Sequence, residues 1–218
     1  MEKLIKKIKI LTCVELLTGL HIGGSKDNVE IGGIDNPVIK ISTRNNQPYI
    51  PGSTLKGKLR GLLEQIAGKD LGKDLNINDV FGFTEGSKNS QASKIIVRDS
   101  YLTKESILLL DNSDNLDMPF TENKYENTID RFKGVTKQGG IRQTERIPAG
   151  VSFDVEFIIN VWDNEKDGEK SLALLRNGIH ALENDYLGGS GSRGYGQVKF
   201  SELKQEEISF KDYFKYEN

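Results

Sequence analysis

Val151, Phe153, Val155, Phe157, Ile159 and Val161 alternate with Ser152, Asp154, Glu156 and Asn160. A period of two places the first set on one face of a strand and the second on the other, which calls for a half-buried strand in a sheet. Ile8, Ile10, Val14 and Leu16 alternate in the same way with Lys7, Lys9, Cys13 and Glu15, giving a first strand near the start of the chain. Two stretches keep helical spacing instead. Ser53 or Thr54 can cap a helix running to about Ala67, with Leu55, Leu59, Leu62, Leu63 and Ile66 facing a core and Gly68 as its stop. A second helix runs from about Lys170 to Asn184 on Leu172, Leu175, Ile179 and Leu182. Residues 94–102 read as a strand, 106–110 as an apolar extension or hairpin partner, and 197–203 as the last strand.

The resulting order is strand, helix, strand, strand, helix, strand, which is the split βαβ order of an α+β ferredoxin-like (RRM-like) βαββαβ core. Long insertions interrupt it at about 18–52 and 103–150. At 218 residues, 36% hydrophobic and 28% charged, the chain is sized for one domain spanning 1–218. A formal net charge of −2 and a pI near 5.8 confine any nucleic-acid contact to local basic clusters. A lone cysteine, Cys13, allows neither an internal disulfide framework nor a cysteine zinc site, and points to the cytoplasm. No apolar run reaches the length of a membrane span, so neither secretion nor membrane insertion is expected.

Five sites carry candidate chemistry. Residues 188–196, Gly-Gly-Ser-Gly-Ser-Arg-Gly-Tyr-Gly, hold five glycines in nine positions. Such a turn brings backbone N–H groups close to an anion, and RNA is its best-matched ligand. A P-loop is excluded because Arg193 lies inside the loop and a strand follows it. A flexible surface turn is the alternative. Asp35, set between Gly32-Gly33 and Pro37, can hold a divalent cation, orient a ribose 2′-hydroxyl or take its proton. It can equally close an Asx-turn. His21, leaving the first strand, suits proton transfer, though an isolated histidine also packs or caps. The helix start around Ser53 sets Lys56 and Arg60 one turn apart beside Gly57 and Gly61, a bare basic flank fit for phosphate or simply a solvated face. Finally, Arg131, Phe132, Lys133, Lys137, Ile141 and Arg142 interleave cations with apolar groups, and Glu145 alone offsets the cations between Arg131 and Arg146. An arm like that can wedge between bases, or it can be a solvated hairpin.

The segments Leu20-His21-Ile22-Gly23-Gly24, Ile34-Asp35-Asn36-Pro37-Val38, the run 50–60, Val97-Arg98-Asp99-Ser100, Arg146-Ile147-Pro148-Ala149-Gly150 and the loop 188–196 together resemble the RAMP superfamily of CRISPR–Cas proteins. Within it they are most similar to the repeated backbone subunit of the type III-A (Csm) effector complex. The resemblance implies a ferredoxin-like palm with a protruding thumb at 120–146. It implies copies associating head to tail along a CRISPR RNA beside other subunits of the complex. Guide RNA would be gripped by Ser53, Lys56, Arg60, Arg131, Arg142, Gly189, Gly191, Ser192, Arg193 and Gly194. Target RNA would be cut near Asp35, with His21 a second catalytic candidate. The implied reaction is 2′-hydroxyl attack helped by a divalent cation, Mg2+, held by Asp35 only together with substrate. A non-cutting guide-binding scaffold and a CRISPR precursor-processing endonuclease are the rivals, while 66–93 and 111–124 match nothing in the pattern.

Overall fold

The computed structural model describes residues 3–24, 36–70, 72–85, 89–113, 116, 118–163 and 168–209. In chain order the described elements are β1 (Leu4–Leu16), β2 (Lys40–Ile41), β3 (Gln47–Ile50), α1 (Gly52–Ala67), α2 (Leu75–Phe81), β4 (Phe83–Glu85), β5 (Asn89–Gln91), β6 (Ile95–Val97), β7 (Ser100–Leu102), α3 (Lys104–Asp111), β8 (Glu122–Asp130), β9 (Val135–Arg146), β10 (Ser152–Trp162), α4 (Glu169–Glu183), β11 (Val198–Phe200) and β12 (Lys204–Ser209). The architecture is α+β. Its main sheet runs β11-β1-β10-β7-β3-β2 with antiparallel pairings, β12 also pairing β1 and β6 pairing β10.

The alternating strands are the centre of that sheet. Ile8 lies opposite Ile159, Ile10 opposite Phe157 and Val14 opposite Phe153, so one face of the β1–β10 pair is apolar throughout. Each such side chain contributes roughly 1.5–3 kcal/mol when buried. Helices α1 and α4 join the same core through Leu55, Leu59, Leu62 and Leu63 on one and Leu175, Ile179 and Leu182 on the other. They cross at Gly178, where a Cβ would already lie 3.4 Å from Leu59 Cδ2 and Leu63 Cδ1. Gly68 ends α1 at φ 62, its N–H donating to Gln65 O at 3.1 Å.

Several expectations are corrected. Neither Ser53 nor Thr54 caps α1; the helix opens at Gly52 behind Pro51, and the Gly52 N–H donates to Asp99 Oδ1 at 2.7 Å. A Cβ on Gly52 would lie 2.2 Å from Val97 O, so the helix start and the sheet meet where no side chain fits. The strand at 94–102 is two strands, because β10 pairs β6 with Phe157 opposite Val97 but pairs β7 with Asp154 opposite Tyr101. One extra residue at Arg98-Asp99 makes a bulge, and bulges re-aim side chains. Ile66 is 71% exposed, beyond the reach of the core at the helix end. Residues 106–110 are helical, since Thr103 Oγ1 accepts the Ser106 N–H at 3.2 Å and starts α3. The 18–52 insertion is not all loop, as β2 and β3 extend the sheet. The last strand breaks at 201–203 into β11 and β12.

The 120–146 arm is a two-stranded hairpin, β8 with β9. Its turn lies at 131–134, where Asp130 Oδ1 accepts the N–H groups of Phe132 (3.0 Å) and Lys133 (3.2 Å) and Gly134 sits at φ 66. Lys137 to Gly140 is instead a bulge within β9, because Asn127 faces Ile141 while Ile129 already faces Thr136.

Candidate nucleic-acid interface

Glu145, at the root of β9, has a side chain only 2% exposed, yet it ties three segments together. Its carboxylate accepts the Val38 N–H at 2.8 Å, the Thr121 hydroxyl at 2.7 Å and the Lys40 ammonium at 2.5 Å. Its own N–H donates to Asn36 O at 3.1 Å, and its carbonyl lies 2.7 Å from His21 Nδ1. A carbonyl only accepts, so that His21 nitrogen is the donor in this bond. Charge alone makes Glu145 an offset to the arm's cations, and its isolation among them is the sequence signal of this role.

Around that joint, Leu20 bridges Ile147, Ile39 N–H donates to Ile22 O at 2.9 Å, and Gly24 N–H to Pro37 O at 3.0 Å. The glycine-rich loop closes on the other side: Gly189 N–H donates to His21 O at 2.8 Å, and a Cβ at Gly188 would lie 2.4 Å from the same oxygen. His21, the segment 36–40, the arm root and the loop thus converge. Asp35 lies outside the described residues; its neighbour Asn36 is held at this junction.

Beyond Gly189 the loop turns through Ser190 at φ 61 into a 3-10 turn, Gly191–Arg193. Gly191 lies on the Tyr186 ring, where a Cβ would come within 1.9 Å of Cγ. Ser192 and Gly194 are exposed, while Gly189 and Gly191 are half-buried. The loop faces the arm: Arg193 Nε is 3.5 Å from Glu126 Oε2, and the Tyr195 hydroxyl donates to Glu126 Oε1 at 3.1 Å. Burial, then that bond to Glu126, pushes the Tyr195 phenol above its usual range. Arg131 and Arg142 are exposed along the arm, and Phe132 stands fully in solvent at its turn.

On α1, Ser53 is exposed in the first turn and a Cβ at Gly57 or Gly61 would meet nothing within 4 Å, so that flank is bare. Its cations are less free than their spacing implies. Arg60 donates from Nε to Glu64 Oε1 (3.0 Å), from Nη1 to Gly82 O (2.8 Å) and from Nη2 to Asn78 Oδ1 (3.0 Å), while Lys56 Nζ donates to Ser93 Oγ at 2.7 Å. Burial, and then the Arg60 charge, lower the Lys56 pKa. Lys58 stacks 3.8 Å over Tyr186 and pairs with Asp185 at 2.7 Å, linking α1 to the loop's approach. Among the described residues no three His, Cys, Asp or Glu side chains cluster as a metal cage, and no helix is long and apolar enough to cross a membrane.

The model of one protein family, the RAMP superfamily, matches residues 13–199. The chain belongs to the RAMP superfamily. RAMP relatives named CRISPR system Cms endoribonuclease Csm3 are 42% identical in Methanocaldococcus jannaschii, covering 94% of this chain and 83% of that protein. In Streptococcus thermophilus identity is 43%, over 93% and 90%. Among solved structures, a chain of the Csm3–Csm4 subcomplex of the type III-A CRISPR-Cas interference complex superposes with a TM-score of 0.62 at 28% identity, covering 97% of this chain and 84% of that one. The RAMP match spans every cluster described above.

Proposed function

We propose that the chain is a backbone subunit of a type III-A CRISPR effector complex that binds guide RNA and cleaves complementary target RNA. The observation that carries this reading is the convergence of the glycine loop, His21, the arm root and the segment leaving Asp35 on one joint, in a chain 42% identical to a protein named Csm3 endoribonuclease. We read the whole of 1–218 as one RAMP domain and its core as ferredoxin-like, supported by the strand order β11-β1-β10-β7 with α1 and α4 as the two crossovers. Its partners are the guide and target RNAs, further copies of itself head to tail, and the other subunits of the complex, in the cytoplasm.

In the cleavage step the target's 2′-oxygen bonds to the adjacent phosphorus as the bond to the 5′-oxygen breaks, leaving a cyclic 2′,3′-phosphate and a 5′-hydroxyl. The 2′-proton leaves with a base and the 5′-oxygen gains one. Asp35 is the proposed catalytic carboxylate, and His21, its ring held at Nδ1 by the Glu145 carbonyl, is the second candidate for a proton-handling group. The described residues do not build a resident metal site, and Glu145 is already occupied by three donors. A Mg2+ ion would therefore be held by Asp35 only with substrate oxygens and water, supplying charge stabilisation at the phosphate. Phosphates of the guide lie along Ser53, Lys56, Arg60 and residues 189–194, with Arg131 and Arg142 reaching from the arm.

The test is cleavage of guide-complementary RNA by the assembled complex. Asp35→Ala is expected to keep assembly and guide binding while cutting falls by about a hundredfold or more, the scale of one positioned catalytic group. Unaltered cutting by that variant would leave a guide-binding scaffold as the reading, with catalysis elsewhere.

A further inference from the structure

The segment between α1 and β6 matches nothing in the sequence pattern, yet it holds the two cations of the α1 flank from below. Arg60 makes three hydrogen bonds, two of them to this segment: to Asn78 Oδ1 and to Gly82 O. Asn78 is 4% exposed, and its Nδ2 donates to Gly72 O at 2.7 Å, which fixes the amide with its oxygen toward Arg60. Glu64, buried beside it, accepts from both Arg60 Nε and the Gly72 N–H through Oε1, while Oε2 is buried with no partner among the described residues.

Ser93 does the same for Lys56. Its oxygen lies 2.7 Å from Ile95 O and 3.2 Å from Val80 O, so its one hydrogen points to a carbonyl and a lone pair faces the ammonium. The chemistry of what remains is specific. Arginine has five N–H bonds and lysine three, so among the described residues Nη1 and Nη2 of Arg60 each keep an N–H without a partner and Lys56 keeps two. Glu64 offsets one of the two positive charges, and the charge left over on this flank attracts an anion.

We propose that Asn78 and Ser93 are positioning residues for guide phosphate: α2 and the strand entry at 93 form a floor that orients Arg60 and Lys56 so that their remaining N–H groups converge on one phosphate of the RNA backbone. This rests on the guide-binding reading above. It assigns residues 72–82 and Ser93 to RNA grip through α1.

The experiment measures binding of a fluorescently labelled single-stranded RNA to the full chain over a salt series. Lys56→Ala and Arg60→Ala each remove a phosphate contact, so affinity falls and the slope of log K against log salt flattens by about one. Ser93→Ala and Asn78→Ala keep both charges, so the slope stays while affinity falls about threefold to tenfold. Each loss disappears in the background it acts through: Ser93→Ala costs nothing further in Lys56→Ala, and Asn78→Ala nothing further in Arg60→Ala. Ser93 is half-buried and its variant is the milder, so it serves where Asn78→Ala unfolds. Wild-type affinity in folded Ser93→Ala overturns the floor for Lys56, and losses that persist unchanged in the cation-free backgrounds reduce both residues to packing. If Lys56→Ala and Arg60→Ala leave affinity and slope alone, the guide-phosphate reading itself fails.

Discussion

Glu145 shows how far one buried carboxylate reaches. Three donors from Val38, Thr121 and Lys40 surround it, and its backbone binds Asn36 and His21, so the arm root and the segment leaving Asp35 share one anchor. Removing one partner of a buried ion pair leaves the other uncompensated and costs about 3–5 kcal/mol. Lys40 keeps about a quarter of its side-chain surface, which places Glu145→Ala toward the low end of that range. The expected outcome in chemical denaturation is a lower midpoint, accompanied by loss of target cleavage as the 36–40 segment slips. Wild-type stability in Glu145→Ala would show that water replaces the carboxylate without loss.

Carboxylates hold α2 at its start and near its end. Asp74 caps it by accepting the N–H groups of Asn76 (2.8 Å) and Ile77 (3.1 Å), and Asp79 pairs with Lys94 at 2.8 Å and Lys170 at 3.2 Å. Burial pushes the Asp79 carboxyl up, but the hydrogen bonds and charges of Lys94 and Lys170 outweigh it and leave the pKa below 3.8. A carboxylate whose folded pKa is depressed adds stability above its unfolded pKa and loses it as pH falls through the folded value. Amide protection in α2, relative to intrinsic exchange at each pH, is therefore expected to fall as pH drops below the ordinary carboxylate range, ahead of protection in β1 and β10. Asp79→Asn should flatten that acid dependence; a variant retaining the wild-type profile would assign it to other carboxylates. The floor beneath Lys56 and Arg60 would loosen in the same pH range.

At the scale of the whole molecule, the arm and the joint define a step. Identical copies associating head to tail have a heterologous interface and form an open helix, so Asp35 recurs at a fixed interval along bound RNA. Cuts should be periodic. The arm presents Phe132, fully exposed, at the turn 131–134, while the 137–140 stretch is a bulge lower on β9. We propose the turn, rather than the bulge, as the wedge between bases. Trimming 131–134 is expected to blur the periodic cuts and leave the core folded, because no core side chain lies there. Mapping product 5′ ends checks both halves: unphased cuts by the wild-type complex would refute the array, and sharp periodicity in the trimmed arm would refute the wedge.

The sequence by itself determined the central strands, the two long helices and their order, because a period of two or 3.6 is set by neighbours along the chain. It also singled out the glycine loop, His21 and the basic arm as candidates, since their residue types carry the chemistry wherever they fold. Only the tertiary structure decided how these meet. The His21 contact with Glu145 spans 124 residues, and the Glu126 bond to Tyr195 spans 69. The bulge at Arg98-Asp99 that aims a carboxylate at the start of α1 exists only when β6 and β7 pair with β10. Arg60 looked like a free cation because spacing on a helix fixes the direction of a side chain but not what another segment places beneath it. Periodicity records which face is buried; partners are chosen by chain segments that meet only when the core closes.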